Sequence, residues 1–135
     1  MTYTKTRFLL PCIILIVASQ LMISCEDRAL GDWDPIELSE DSLYFDEDGG
    51  QETIYCFNYS PCVHSIRDLD TDKYYYCDPD HMKNASAPGI EVLIKNDVIS
   101  VSVETSKEQH RWAIRLWAGD ASGSFRVYQN EEPDN

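Results

Sequence analysis

Apolar and polar residues alternate along most of the last two thirds of the chain, which is typical of β-strands that bury one face. The pattern begins in residues 36–45 and continues in QETIYCFNY, residues 51–59, after a turn marked by the paired glycines of DEDGG. QETIYCFNY is apolar on both faces, which predicts a central strand. IEVLIK and VISVSVE flank Asn96-Asp97, which predicts a β-hairpin.

The clearest alternation lies near the C-terminus. RWAIRLW, residues 111–117, places Trp112 on one face and Trp117 on the other, and SFRVYQ continues the pattern after the turn AGDASG. Residues 70–89 are irregular and predict the longest loop, with room for a short strand at the three tyrosines. After residue 24 no segment of about ten residues has helical periodicity, so the chain predicts an antiparallel β-sandwich.

The first 24 residues have a different pattern. Lys5 and Arg7 precede an uncharged run of 17 residues, Phe8 to Ser24. A positive head and a short apolar run are typical of a secretory signal peptide. A membrane-spanning helix needs about 20 apolar residues, and this run is shorter and includes a proline and a glutamine. Residues 1–24 are therefore predicted to be a cleaved signal.

The end of this run, Met22-Ile23-Ser24-Cys25, resembles the lipobox of bacterial lipoproteins. The resemblance implies that Cys25 becomes the first residue of the mature chain and carries lipid, which anchors the protein to a membrane. Each buried methylene contributes about 0.8 kcal/mol, so several acyl chains hold a protein firmly. Glu26 and Asp27 resemble a surface-export signal. The expected location is the outer membrane, with the cell surface and the periplasmic face both open.

Removal of the signal makes the chain more acidic. It has 24 acidic and 11 basic residues and a net charge of −13, which becomes −15 when Lys5 and Arg7 leave. Nucleic-acid binding needs Lys and Arg to displace counterions, so no nucleic-acid partner is expected. Residues 25–35 are acidic and without periodicity, which predicts a tether. Residues 36–131 are expected to form one domain.

Three cysteines remain in the predicted mature domain. Cys12 leaves with the signal and Cys25 takes the lipid, which leaves Cys56, Cys62 and Cys77. In an oxidising compartment three thiols allow three alternative disulfides. Pairing of Cys62 with Cys77 is favoured because both flank the same local segment of the chain. The other two pairings stay open.

Four segments of the chain occur in the same order as the sequence motifs of one protein family. They are ELSEDSLYFDEDGGQETIYC, the strand ISVSVE, the arginine that opens the next strand at Arg111, and the closing FRVYQN. From about Ile36 to Asn130 the chain therefore resembles a BACON domain, a Bacteroidetes-associated carbohydrate-binding module. The resemblance implies an all-β, antiparallel immunoglobulin-like β-sandwich of about seven strands that contacts glycan or mucin. SPCVHSI lacks the tryptophan usual in that strand, and the segment 70–89 is longer than usual.

Glycan binding needs flat aromatic faces beside polar groups. Trp117 and Arg115, opposite the predicted core face, are candidate glycan contacts. Tyr74, Tyr75 and Tyr76 are the other candidates. The alternative is that these aromatic side chains pack under the long loop or fill the second face of the sandwich.

One acidic segment has part of a calcium-binding pattern. Asp68, Asp70 and Asp72 alternate as in the first half of a calcium loop. Lys73 and Pro79 stand where that loop requires glycine and glutamate. A solvated acidic loop is therefore favoured over a calcium site.

Zinc chemistry and catalysis have little support. Cys62, His64, Cys77 and His81 could supply zinc ligands, but their spacing does not follow the usual paired pattern. The chain has no GxSxG, HExxH or phosphate-binding glycine loop. The sequence therefore predicts no metal, no cofactor and no enzymatic activity.

These patterns favour a membrane-anchored, non-catalytic module that binds glycan or mucin at the cell envelope. The alternative is a structural or protein-interaction lipoprotein whose partner is another envelope protein. The glycan and the oligomeric state stay open at the level of sequence.

Overall fold

The computed structural model describes residues 33–133, which form nine β-strands. They are β1 (Ser42–Phe45), β2 (Gly50–Tyr55), β3 (Cys62–Asp68), β4 (Lys73–Tyr76), β5 (Asn84–Ala87), β6 (Ile90–Lys95), β7 (Val98–Val103), β8 (His110–Ala118) and β9 (Ala121–Gln129). Nothing within this part of the chain forms a helix that could cross a membrane. The predicted signal peptide, Cys25 and most of the predicted tether lie outside the described residues.

The strands form two sheets around a shared core. The order is β1-β9-β8-β3-β4 in the five-stranded sheet and β2-β7-β6-β5 in the four-stranded sheet. All neighbouring strands are antiparallel except β1 and β9, which are parallel. The sets β2-β7-β6 and β9-β8-β3 correspond to the B-E-D and G-F-C strands of the immunoglobulin fold. The predicted all-β immunoglobulin-like sandwich is confirmed, with nine strands rather than about seven.

Two short strands account for the difference in number, and both come from the segment expected to be a loop. β4 pairs with β3, and β5 pairs with β6. The sequence of β5 is NASA, and only Ala85 of these four residues is buried. Four small or polar residues give no hydrophobic alternation, so β5 is defined by its pairing partner rather than by its own pattern.

The strand β2 lies at an edge of its sheet, so the prediction of a central strand is wrong. Ile54 is the buried residue of β2, and Cys56 is buried directly after it. Tyr55 and Phe57 are 52% and 69% exposed. Aromatic residues at a sheet edge can face solvent, so an apolar character on both faces does not require burial on both faces.

One hydrophobic core lies between the sheets. Its largest fully buried side chains are Trp112 on β8 and Phe125 on β9. The alternation predicted for these two strands is observed, since every second residue from Trp112 to Leu116 is buried. Val63 and Ile66 of β3 complete the inner face of the central strands.

A buried glutamine joins the two sheets at one end of this core. Gln129, at the end of β9, is 1% exposed. Its side-chain amide donates to the carbonyl oxygen of Glu104 at 2.8 Å and to that of Asp46 at 3.2 Å. Asp46 follows β1 and Glu104 follows β7, so this one side chain links connections that belong to different sheets.

We expect Gln129→Leu to lower the free energy of unfolding by about 1–3 kcal/mol, because it removes both hydrogen bonds that the buried amide donates to the carbonyls of Glu104 and Asp46. Urea denaturation measures this change. Gln51→Leu, the same substitution at an exposed position of β2, is the control and should change stability by less than about 0.5 kcal/mol. A Gln129→Leu variant as stable as the control would contradict the structural role of this amide.

Candidate functional site

The outer surface of the five-stranded sheet carries every arginine of the described residues. They are Arg67, Arg111, Arg115 and Arg126. Residues directly paired across strands point to the same face of a sheet. The pairing of Arg67 with Ala113, and of Ala113 with Arg126, therefore places these side chains on one surface, opposite the core. We call the outward side chains of this sheet the arginine face.

Cross-strand rows organise this face. The first row, from β4 to β9, is Tyr74, Arg67, Ala113 and Arg126. The second row is Tyr76, Ser65, Arg115 and Ser124. The third row is Cys62, Trp117 and Ser122. Four of the five predicted glycan contacts, Arg115, Trp117, Tyr74 and Tyr76, are thus brought onto the same face.

A groove of about 620 Å³ runs over the first two rows. Its floor includes small residues of the three central strands, Ser65, Ala113 and Ser124. Larger side chains that line it include Tyr74 and Tyr76 of β4. The surface is concave because small residues lie between large ones along the rows. Ser65 lies between Tyr76 and Arg115, and Ala113 lies between Arg67 and Arg126.

Exposed aromatic rings form a strip beside the groove. Tyr74, Tyr76 and Trp117 are 50%, 66% and 40% exposed. The rings of Tyr74 and Tyr76 stack with centroids 6.1 Å apart. His64 lies edge-on to Tyr76 and to Trp117, at centroid distances of 5.8 Å and 5.9 Å. The imidazole therefore connects the tyrosines of β4 to the tryptophan of β8.

His64 is a residue of this face that the sequence did not identify as such. The pairing of β3 with β8 shifts register between Val63 and Ser65. This irregularity leaves His64 without a direct partner on β8, and its ring contacts outward aromatic side chains. A β-bulge has no clear signature in a single sequence, so strict alternation could not assign His64 to a face.

Tyr75 is not part of the candidate site, which corrects its prediction as a glycan contact. Its side chain is half-buried and packs against the core, whereas Tyr74 and Tyr76 on either side are exposed. Successive side chains of a strand point to opposite faces. Three consecutive tyrosines show no alternation of their own, so only the pairing with β3 decides which one faces inward.

The acidic loop after β3 holds two of the arginines. Nη2 of Arg67 lies 2.6 Å from Oδ1 of Asp72, and its guanidinium carbon lies 5.3 Å from the Tyr74 ring centroid. The hydrogen bond from Arg67 to Asp72 raises the pKa of this guanidinium. Arg111 donates through Nε and Nη2 to Oδ1 of Asp70, at 3.1 and 3.0 Å. Asp70 and Asp72 thus act as counterions.

The other candidate metal ligands are also separated or engaged. Oδ1 of Asp68 accepts hydrogen bonds from the backbone N–H groups of Asp70 and Thr71. Nδ1 of His81 lies 3.3 Å from Oδ2 of Asp78. The pKa of Asp78 is lowered, mainly by the hydrogen bond from the backbone N–H of Asp80 and to a smaller extent by the hydrogen bond with His81. Within residues 33–133 no three His, Cys, Asp or Glu side chains are grouped so that they could hold a metal.

The three cysteines among residues 33–133 are free thiols, so the predicted bond between Cys62 and Cys77 is not formed in this structure. Cys62 pairs with Trp117 and points with it toward the outer face. Cys77 follows the outward Tyr76 and packs against the core. The side chains leave opposite sides of the sheet, an orientation unfavourable to a disulfide. Cys56 is buried.

Three solved structures resemble the chain in fold. A protein from Bacteroides thetaiotaomicron, solved by NMR, superposes with a TM-score of 0.58 at 19% identity, over 76% of this chain and 92% of that one. The M1 domain from titin gives 0.45 at 10% identity, over 71% and 93%. A chimeric titin Z1Z2 gives 0.42 at 12% identity, over 71% and 92%. No family model and no curated protein matches the chain.

We expect Tyr75→Ala to lower the free energy of unfolding by about 1–3 kcal/mol, because it removes partly buried aromatic area from the core. Tyr76→Ala removes the same atoms from the solvent side and should cost less than about 0.5 kcal/mol. Thermal and urea unfolding of the two variants check this assignment. Equal losses at both positions would show that β4 does not present alternate faces as described.

Proposed function

We propose that the protein is a non-catalytic module that binds glycan through the arginine face. The aromatic strip is the observation that carries this proposal: Tyr74, Tyr76 and Trp117 lie exposed on one face, next to a groove. A sugar ring has an apolar side that can pack on an aromatic ring and hydroxyl groups that need hydrogen bonds. Amphipathic aromatic side chains beside polar groups meet both requirements.

The groove has the size and polar groups for a short segment of polysaccharide. Its volume of about 620 Å³ lies within the range of roughly 300–1,000 Å³ typical of ligand sites. Ser122 and Ser124 of β9 line it and can donate or accept hydrogen bonds. Arg67 and Arg115 add guanidinium donors. The resemblance to BACON domains also favours glycan or mucin as the ligand.

The location follows from the first residues of the chain. The lipobox-like segment that ends at Cys25 supports a lipid anchor in the outer membrane. The acids Glu26 and Asp27 favour display at the cell surface over the periplasmic face. The protein would then present its groove to glycans outside the cell.

A structural or protein-interaction lipoprotein, with another envelope protein as its partner, is the second candidate function. Exposed apolar side chains on or beside the four-stranded sheet favour it, namely Tyr55, Phe57 and Leu93. This surface lies on the opposite side of the sandwich from the arginine face, so separate substitutions can test the two functions.

We expect Trp117→Ala to weaken retention on mucin or plant polysaccharide about three- to tenfold, the equivalent of one lost aromatic contact. A glycan array identifies the ligand, and affinity electrophoresis measures the change. The melting temperature should stay the same because Trp117 points away from the core.

Tyr55→Ala is the matched control, since it removes an aromatic ring of 52% exposure from the other sheet. It should leave glycan retention unchanged. An empty glycan array, together with co-purification of an envelope protein that Tyr55→Ala abolishes, would replace the glycan proposal with the second candidate. Unfolding of Trp117→Ala would show that Trp117 serves the core.

We expect Cys25→Ser to move the protein from the membrane fraction to the soluble fraction, because no lipid could be attached. Fractionation of cells that express each form measures this, and protease shaving of whole cells then reports the exposed face. Ser24→Ala, which keeps a small residue before the cysteine, is the control. A Cys25→Ser variant that stays in the membrane would contradict the anchor.

A further inference from the structure

Positive charge is concentrated on one side of an acidic molecule. Among the residues of β1, β9, β8, β3 and β4 that point outward there is no Asp or Glu, yet all four described arginines lie there. On the outer face of the four-stranded sheet the charged side chains are one acid and one base, Glu91 and Lys95. The chain has 24 acidic residues, so this segregation is a specific feature of the arginine face.

Two of these arginines have no counterion within the described chain. Ion pairs join Arg67 to Asp72 and Arg111 to Asp70, whereas none within residues 33–133 involves Arg115 or Arg126. Their guanidinium groups therefore keep their hydrogen-bond donors available to an anionic ligand.

The two unpaired arginines flank the same small residue. Arg126 is directly opposite Ala113 on the neighbouring strand, and Arg115 lies two residues from Ala113 on β8. Sheet geometry puts their Cα atoms about 5 Å and about 7 Å from that of Ala113. Ala113 forms part of the groove floor, and Arg115 lines the groove. Arg115 therefore lines the groove itself, and Arg126 lies on the same face directly beside the groove floor, within reach of a ligand that extends past Ala113.

We infer that the ligand of this groove is an anionic glycan, whose sugars carry carboxylate or sulfate groups that Arg115 and Arg126 bind. This inference rests on the proposed glycan-binding function and narrows its ligand class. A guanidinium donates two parallel hydrogen bonds to the oxygens of such groups, and the aromatic strip packs on the sugar rings between them.

Electrostatic screening allows this recognition despite the net negative charge. At physiological ionic strength the field of a charge decays within about 8 Å. Acids on the other sheet therefore act weakly at the groove, and Asp72 is engaged by Arg67. Asp120 lines a neighbouring pocket with Arg115 but forms no ion pair with it, so Arg115 and Arg126 can act on a ligand at contact distance. An anionic chain is attracted at this face and repelled elsewhere, which fixes where it binds.

Paired polysaccharides that differ only in charge test the inference. Affinity electrophoresis of the domain in dextran sulfate and in dextran isolates the effect of sulfate. Polygalacturonate and its methyl ester isolate the effect of carboxylate. We expect retention by at least one charged polymer, none by its neutral counterpart, and weaker retention at high salt. The arm that retains the domain identifies sulfate or carboxylate as the recognised group.

Single-charge variants locate the contact. Arg115→Gln and Arg126→Gln should each weaken retention about tenfold, the loss expected for a charge-assisted hydrogen bond. Lys95→Gln removes the same charge from the opposite sheet and should have no effect. Arg115→Lys should recover only part of the affinity, because an ammonium group lacks the planar fork. Melting temperatures confirm that all four variants are folded.

The inference and the proposed function fail in different ways. Equal retention by charged and neutral polymers, unaffected by Arg115→Gln, would overturn the anionic ligand and leave glycan binding in place. Equal losses in Arg115→Gln and Lys95→Gln would show general charge attraction and would also overturn it. If no polysaccharide of either kind retains the domain and the glycan array is empty, both the inference and the proposed function fall.

Discussion

The register of β8 is the constraint on which the rest of the structure depends. β8 pairs with β3 on one side and β9 on the other, and its inward residues Trp112, Ile114 and Leu116 form the centre of the core. Side chains alternate along a strand, so burial of these three forces Arg115 and Trp117 outward. A slip of one residue would bury arginines and expose the core side chains, at a cost of several kcal/mol. The packing of the core therefore also positions the arginine face.

The central role of β8 explains which parts of the fold and of the arginine face could be predicted from the sequence. β8 and β9 alternate over nine residues each, so the sequence alone placed Trp117 and Arg115 opposite the core. β4 has only four residues, three of them tyrosines, and its inward residue is set by hydrogen bonding to β3. The face of His64 depends on a local register shift. Both features arise from pairing between strands, which no single segment encodes.

The acidic loop after β3 has a structural role that its composition did not reveal. Its carboxylates suggested calcium ligands, yet Asp70 reaches across to Arg111 on β8 and Asp72 holds Arg67 on β3. These pairs are exposed, so each contributes little to stability. Their main effect is on charge, because they neutralise two arginines and leave Arg115 and Arg126 as the arginines of this face without an ion pair in the described residues. This loop thus determines which arginines stay available on the arginine face.

A binding surface on a sheet differs from one made of loops in its entropy of binding. The backbone under the arginine face is held by hydrogen bonds in both directions, and Tyr74, Tyr76, His64 and Trp117 hold one another through ring contacts. The backbone and the aromatic rings therefore have little conformational freedom to lose when a ligand binds, and the main ordering cost falls on the side chains of Arg115 and Arg126. The face is nevertheless open, so one module can cover only a short segment of a polysaccharide. In the proposed function, many lipid-anchored copies in one membrane would engage successive segments of the same polysaccharide, and the effective concentration of neighbouring sites would raise the avidity well above the affinity of one groove. The proposed membrane display would therefore compensate for the shallowness of a rigid site.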